Sequence, residues 1–251
     1  MQDPPINLTD LDRRIQSAID CFWETRDSQG QRQGSVTGRK DAGDRAKVTG
    51  GKHLDAFVDL IAALVRENCH GVRVFTQKHN LDPATVLPGY FRPTKYWDLV
   101  VLHGSQLVGG IELKSHVGPS FGNNYNNRSE EAIGNAVDIN TAYREGAFEP
   151  SPKPWIGYMM LLEETAKSTN AVNVQEQHFQ VFPEFKDASY AKRYEVGITR
   201  LVRDGLYSSA CLMLSGHKNG EPTWREPSVE LSFRRFAASL IGHALAVSTA
   251  A

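Results

Sequence analysis

Tyr96-Trp97-Asp98-Leu99-Val100-Val101-Leu102, then His103-Gly104-Ser105-Gln106, then Leu107-Val108-Gly109-Gly110-Ile111-Glu112-Leu113-Lys114 reads as two strands joined by a tight turn. Centring the turn on Ser105 sets Asp98 directly opposite Glu112, and the alternation of side chains puts Lys114 on the face of Glu112. Opposed residues hold their Cβ atoms about 4.5–5.5 Å apart, and like charges so placed are destabilising. Two carboxylates in that arrangement amid apolar strands require protonation or a cation between them. A hard divalent ion with oxygen ligands, Mg²⁺, meets that need, and the backbone carbonyl of Leu113 offers a further oxygen. Lys114 beside such a metal suits orienting or deprotonating a water for attack on a phosphodiester. The same three residues on the wet face of a hairpin would make an ordinary surface ion pair, so the surroundings decide between the two.

Working outward, Leu11, Ile15, Ala18, Ile19 and Phe22 mark the buried stripe of a helix that opens at Thr9-Asp10-Leu11-Asp12. A second helix is predicted near His53 to Asn68, with Leu54, Phe57, Val58, Ile61, Leu64 and Val65 at helical spacing. A short strand over Val72–Gln77 and a loop punctuated by Pro83, Pro88 and Pro93 lead into the hairpin. Beyond it the pattern predicts a Gly/Asn-rich loop to Asn127, a helix from Ser129 to Glu145, and a doubly buried strand over Trp155–Leu162. Helix, strand and helix follow near Ser189–Arg203, Tyr207–Leu214 and Ser228–Val247. The sum is one α/β domain over residues 1–251, a central mixed β-sheet flanked by helices.

The 251 residues are 40% hydrophobic and carry a formal net charge of -1, which excludes a uniformly basic coating protein. The charge is uneven. From Arg26 to Lys52 there are seven basic residues, three acidic ones and six glycines, a +4 segment against -5 for the rest. Such a stretch cannot form its own core and is expected to be flexible, either as a solvated loop or as a basic arm that orders on a polyanion. Cys21, Cys69 and Cys211 are odd in number and form no C-x-x-C, so a reducing cytosol is expected and a disulfide framework is not. No apolar run approaches the roughly 18 residues of a membrane span, and Met1-Gln2-Asp3-Pro4-Pro5 lacks the marks of a signal peptide.

Next to the hairpin, Ser115-His116-Val117-Gly118-Pro119-Ser120-Phe121-Gly122-Asn123-Asn124-Tyr125-Asn126-Asn127-Arg128 holds four asparagines and an arginine. Turn chemistry explains Gly and Asn there, and Asn127 with Glu130 would cap the following helix. Asn123, Asn124, Asn126, Asn127 and Arg128 are also the chemistry of base reading, since Asn pairs bidentately with adenine and Arg with guanine. His116 is a weaker DNA-contact candidate beside them. Asp55 and Asp59 stand one turn apart on the second helix, where a solvated face or first-turn acids explain them; Asp55 is kept as a further metal-ligand candidate. Gly50-Gly51-Lys52-His53 fails as a phosphate loop, because Ala46 stands where glycine is required and His53 where Ser or Thr is.

The order of elements around Asp98, Glu112 and Lys114 resembles the PD-(D/E)XK nuclease core, with Trp97 where that motif has proline. Leu87-Pro88-Gly89-Tyr90-Phe91-Arg92-Pro93-Thr94-Lys95-Tyr96-Trp97-Asp98 is similar to a stretch of the XhoI family of type II restriction endonucleases. So are the block from Glu112 through Asn124 to Gly134 and the block from Phe182 to Tyr194; the similarity covers roughly residues 50 to 205. The resemblance implies a Mg²⁺-dependent enzyme of the bacterial cytoplasm that cuts double-stranded DNA at CTCGAG, after the first C. It implies a homodimer, matching a two-fold site, and a companion methyltransferase that protects host DNA. It assigns Asp98 and Glu112 to the metal and Lys114 to the attacking water. Two other functions remain open to the residues alone: a structure-specific repair or recombination nuclease, and a non-catalytic DNA-binding module.

Overall fold

The computed structural model describes residues 6–37, 52–77 and 82–250. Its centre is the expected hairpin, β4 (Leu99–His103) and β5 (Gln106–His116), antiparallel with Leu99 opposite Ile111, Val100 opposite Gly110 and Val101 opposite Gly109. A bulge between Val101 and Leu102 then shifts the register by one, so the turn closes on Gly104 and Ser105, with Gly104 in the left-handed region at φ +57. The register at the far end from the turn, where Asp98 and Glu112 lie, is the one the sequence predicts.

Four more strands complete a mixed six-stranded sheet in the order β1-β4-β5-β6-β7-β8. They are β1 (Val72–Thr76), β6 (Trp155–Glu163), β7 (Ser209–Lys218) and β8 (Glu221–Arg225). β6 is parallel to β5 and to β7, while β1 and β8 are antiparallel to their neighbours. β6 is buried on both faces, as its apolar run requires. β8 is an edge strand that the pattern analysis does not predict, since Glu221-Pro222-Thr223-Trp224-Arg225 is polar and contains proline, which only an edge tolerates. A small two-stranded ribbon, β2 (Val86–Pro88) with β3 (Thr94–Tyr96), precedes the hairpin. Tyr96 therefore ends the ribbon instead of starting the sheet strand, and Trp97-Asp98 is the crossover between the two.

Helices cover both faces. On one side α1 (Leu11–Thr37), α2 (Asp55–Asn68) and α6 (Phe233–Ala250) pack Phe22, Phe57, Ile61, Phe236 and Leu240 against Leu99, Ile111, Leu113, Met159 and Met213. On the other, α3 (Phe121–Arg144) and α5 (Tyr190–Arg203) pack Ala136, Ile139, Tyr194 and Ile198 against Val100, Tyr158, Met160 and Leu212. A short α4 (Ala166–Thr169) follows β6. The odd-numbered residues of β6 join the first core and the even-numbered ones the second, the period-2 signature of a sheet between two helical layers. No described helix is long and apolar enough to cross a membrane.

Two expectations change. Residues 26–37, assigned to the basic flexible segment, continue α1, and Lys52 opens a short 3-10 turn (Lys52–Leu54); 38–51 lie outside the described residues. The Gly/Asn-rich stretch after Ser120 is no loop: α3 begins at Phe121, two turns earlier than predicted, and neither Asn127 nor Glu130 caps it. Four asparagines and a glycine cost a helix up to about 0.7 kcal/mol per asparagine and about 1 kcal/mol for the glycine. Burial of a large side chain returns about 1.5–3 kcal/mol. Phe121 and Tyr125, one turn apart, supply that anchorage, Phe121 stacked on Tyr190 at 5.9 Å and Tyr125 edge-on to Tyr194 at 5.0 Å.

Candidate active site and nucleic-acid interface

Asp98 stands at the crossover, tied by its backbone to both neighbours: its N–H donates to the Ile111 carbonyl at 3.1 Å and its carbonyl accepts from Gln77 N–H at 2.8 Å. Its Oδ2 accepts the backbone N–H of Leu113 at 2.7 Å, so Asp98 is bonded to the residues on either side of Glu112. Glu112 is 2% exposed, which rules out the surface ion pair. Its two oxygens are each taken by a lysine, Oε1 by Lys114 and Oε2 by Lys95. The Lys95 ammonium also lies 4.8 Å from the centre of the buried Trp97 ring and donates to the Tyr96 carbonyl at 2.9 Å.

The electrostatics follow from burial. Desolvation, reinforced by the neighbouring charge of Glu112, pushes the Asp98 carboxyl up to about 7, against the opposing pull of the Leu113 N–H and the two lysines. Burial also disfavours a charged Glu112, but the ammonium groups of Lys114 and Lys95 outweigh it and hold that carboxyl below its ordinary value. Lys114 is likewise raised: burial opposes its charge, and Glu112, Asp98 and Glu131 of α3 more than restore it. The site thus holds one firmly ionised carboxylate and one that titrates near neutrality, beside two cationic lysines.

Two adjacent carboxylates fit a hard divalent cation of the Mg²⁺ type, which binds through one or two carboxylates and keeps several waters. The high pKa of Asp98 marks the same need for positive charge. Among the described residues no group of three or more His, Cys, Asp or Glu side chains is gathered as a metal cluster. The start of α2 meets the odd-numbered face of β5, where His53 Nε2 lies 2.8 Å from Ser115 Oγ, while Glu112 and Lys114 project from the even-numbered face.

The first turns of α3 carry the predicted base-reading residues. Asn123, Asn126 and Asn127 are exposed and Asn124 half-buried, and their side chains make no hydrogen bond among the described residues. Arg128 is turned inward instead, bonded to Glu131 at 2.6 Å, with its charge acting on His53, His116, Tyr158 and Tyr194. His116 is 1% exposed, its Nδ1 2.8 Å from the Tyr194 hydroxyl, and burial with the charge of Arg128 lowers it to about 4. Its ring is packed inside the fold and not presented to solvent.

Two features escaped the sequence. Lys95 sits three residues before Asp98, but only the ribbon geometry carries it to Glu112. Asp138, on α3, accepts the backbone N–H groups of Tyr90 and Phe91 at 2.8 and 2.7 Å and the Arg92 guanidinium at 2.8 Å. No spacing rule signals a contact across nearly fifty residues.

A family profile described as restriction endonuclease XhoI matches residues 32–224. The chain is 46% identical over 213 residues to the type II restriction enzyme BstVI of Geobacillus stearothermophilus, covering 81% of this chain and 92% of that protein. It is 44% identical over 200 residues to the type II restriction enzyme XhoI of Xanthomonas vasicola, covering 80% of this chain and 79% of that one. It is 42% identical over 176 residues to the type II restriction enzyme AbrI of Azospirillum brasilense, covering 70% and 77%. No solved structure matches.

Proposed function

This chain belongs to the XhoI restriction endonuclease family, and from that premise we propose that it cleaves double-stranded DNA at the palindrome CTCGAG, after the first C, with Mg²⁺. It is a type II site-specific deoxyribonuclease, which sets aside the repair-nuclease and binding-module readings. The palindrome comes from the similarity of the Leu87–Asp98, Glu112–Gly134 and Phe182–Tyr194 blocks to that family. The observation that carries the chemistry is the buried pair Asp98 and Glu112 with Lys114 bonded to Glu112.

A divalent cation, when bound, supplies the positive charge that stabilises the developing phosphate oxygens and the leaving oxygen. Asp98, Glu112 and the Leu113 carbonyl would hold it. Lys114, anchored through Glu112, aims its ammonium at the attacking water and the scissile phosphate, fixing their approach. Asp98, whose carboxyl burial raises to about 7, would favour its ionised, ligating form only beside added positive charge. Lys95 shares Glu112 with Lys114 and holds the carboxylate's second oxygen, fixing its orientation. The exposed asparagines of α3 read base edges. Two copies of one restriction-endonuclease-like unit meet the two halves of the palindrome, in the bacterial cytoplasm, with a companion methyltransferase protecting host DNA.

Incubating the protein with plasmid DNA of known sequence and Mg²⁺ tests this directly. Discrete fragments ending at CTCGAG are expected. Fragments ending at another sequence would overturn the proposed site while leaving the enzyme class intact, and no cutting in Mg²⁺ would overturn the cofactor assignment.

A further inference from the structure

We propose that the Tyr90–Phe91 tip is an aromatic wedge that packs against a base step of the bound duplex close to the cleaved bond. Tyr90 and Phe91 are 54% and 70% exposed, their rings edge-to-face at 5.0 Å. Adjacent large aromatics are seldom left in water without a partner to meet. The tip is also held in place. Both its backbone N–H groups point at Oδ1 of Asp138, the Arg92 side chain bridges Asp138 Oδ2 and Asn135 Oδ1, and Gly89 N–H closes the loop on the Pro93 carbonyl at 3.3 Å. Asp138 and Asn135 are buried in α3, so the clamp is anchored in the core. A side chain at residue 89 would place its Cβ 2.4 Å from Asp138 Oδ2 and 2.7 Å from the Arg92 carbonyl; only glycine lets the loop lie down on the carboxylate. Exposed rings on a loop ordered in advance lose little entropy on binding.

The occupant is set by continuity with the active site. Phe91 stands four positions before Lys95, whose ammonium ends on Glu112, and the backbone between them spans at most about 14 Å. A duplex rises about 3.4 Å per base pair. Duplex DNA lying on Glu112 and Lys114 therefore has base steps within reach of the tip. Base faces are the part of it that suits aromatic rings, and apolar side chains inserted at a base step unstack and kink it. The inference rests on duplex DNA being the substrate.

The test uses the Lys114→Ala protein, to prevent cutting, and duplexes centred on the sequence found by the cleavage map, with 2-aminopurine placed at each position in turn. Fluorescence at one step should rise severalfold on binding. With Tyr90→Ser and Phe91→Ser added, that rise should vanish and Kd weaken at least about tenfold, while the Tm stays unchanged because both rings are exposed. Phe91→Trp alone should keep the signal. A silent duplex at every position, or unaltered unstacking by the serine variant, would overturn the wedge. So would a serine variant that loses self-association in sedimentation yet keeps its DNA affinity, since the tip would then be a contact between copies. Failure of the native protein to cut any DNA removes the substrate reading and the wedge with it; a clear cleavage map with a silent tip removes the wedge alone.

Discussion

Strand β5 and the first turns of α3 are separated by four residues, yet they are built on opposite plans. In β5, Glu112 is enclosed, both its oxygens are occupied, and its neighbours set its charge. In α3, Asn123, Asn126 and Asn127 face water with no partner in the described protein. On the proposed function, groups that act on a phosphate in one fixed geometry are held by the core, where a low dielectric strengthens every charge. On the same proposal, groups that read bases are left uncommitted, because any internal bond would have to be broken before DNA could be bound. Arg128 lies between the two plans, helical like the asparagines but already bonded to Glu131.

If that contrast is right, substitutions in β5 should change kcat and those in α3 should change recognition. Glu112→Gln removes the ionised carboxylate that anchors both lysines, and should lower kcat by at least about 10²- to 10⁴-fold in single-turnover cleavage. It should also abolish cation binding measured by calorimetry; undiminished binding would place the cation elsewhere. On the other side, replacing the α3 asparagine that reads a base should cost about 1–3 kcal/mol at the base pair it contacts, seen as relaxed discrimination between cognate and single-mismatch duplexes. If alanine at all four positions leaves that discrimination intact, α3 is not the reading element.

A smaller effect concerns stability. Asp98 has its pKa raised from 3.8 to about 7, so the stability tied to its neutral form is fully present below about pH 4 and lost as pH rises through 7. Asp98→Asn should therefore raise Tm by several degrees at pH 8 without divalent cation, and the gap should close toward pH 4. Mg²⁺ should raise the Tm of the native protein at pH 8 and leave that of the variant unmoved. Equal Tm curves for the two proteins across that range would mean that Asp98 is not desolvated.

The same contrast explains what the sequence made legible. Strand alternation is a local rule, so Leu99 opposite Ile111, and with it the juxtaposition of Asp98 and Glu112, follows from the hairpin alone. The bulge at Val101 leaves that end untouched. The start of α3 was misread because local propensity speaks against a helix there, and the contacts that override it, Phe121 on Tyr190 and Tyr125 on Tyr194, come from α5, some seventy residues on. Burial of His116 and the capture of Glu112 by Lys95 depend likewise on how layers and ribbon meet, which no pattern along the chain encodes. The β2–β3 ribbon escaped because Pro88 and Pro93 read as loop punctuation, though both sit where a two-stranded ribbon tolerates them.

The central claim, that the buried Asp98, Glu112 and Lys114 hydrolyse the phosphodiester while recognition lies elsewhere, is tested most directly on Lys114→Ala. Its single-turnover cleavage rate and its Kd for the cognate duplex should be measured side by side in Mg²⁺. The account predicts that cleavage is abolished while specific binding stays within a few-fold of the native protein. Cutting at the native rate would contradict it.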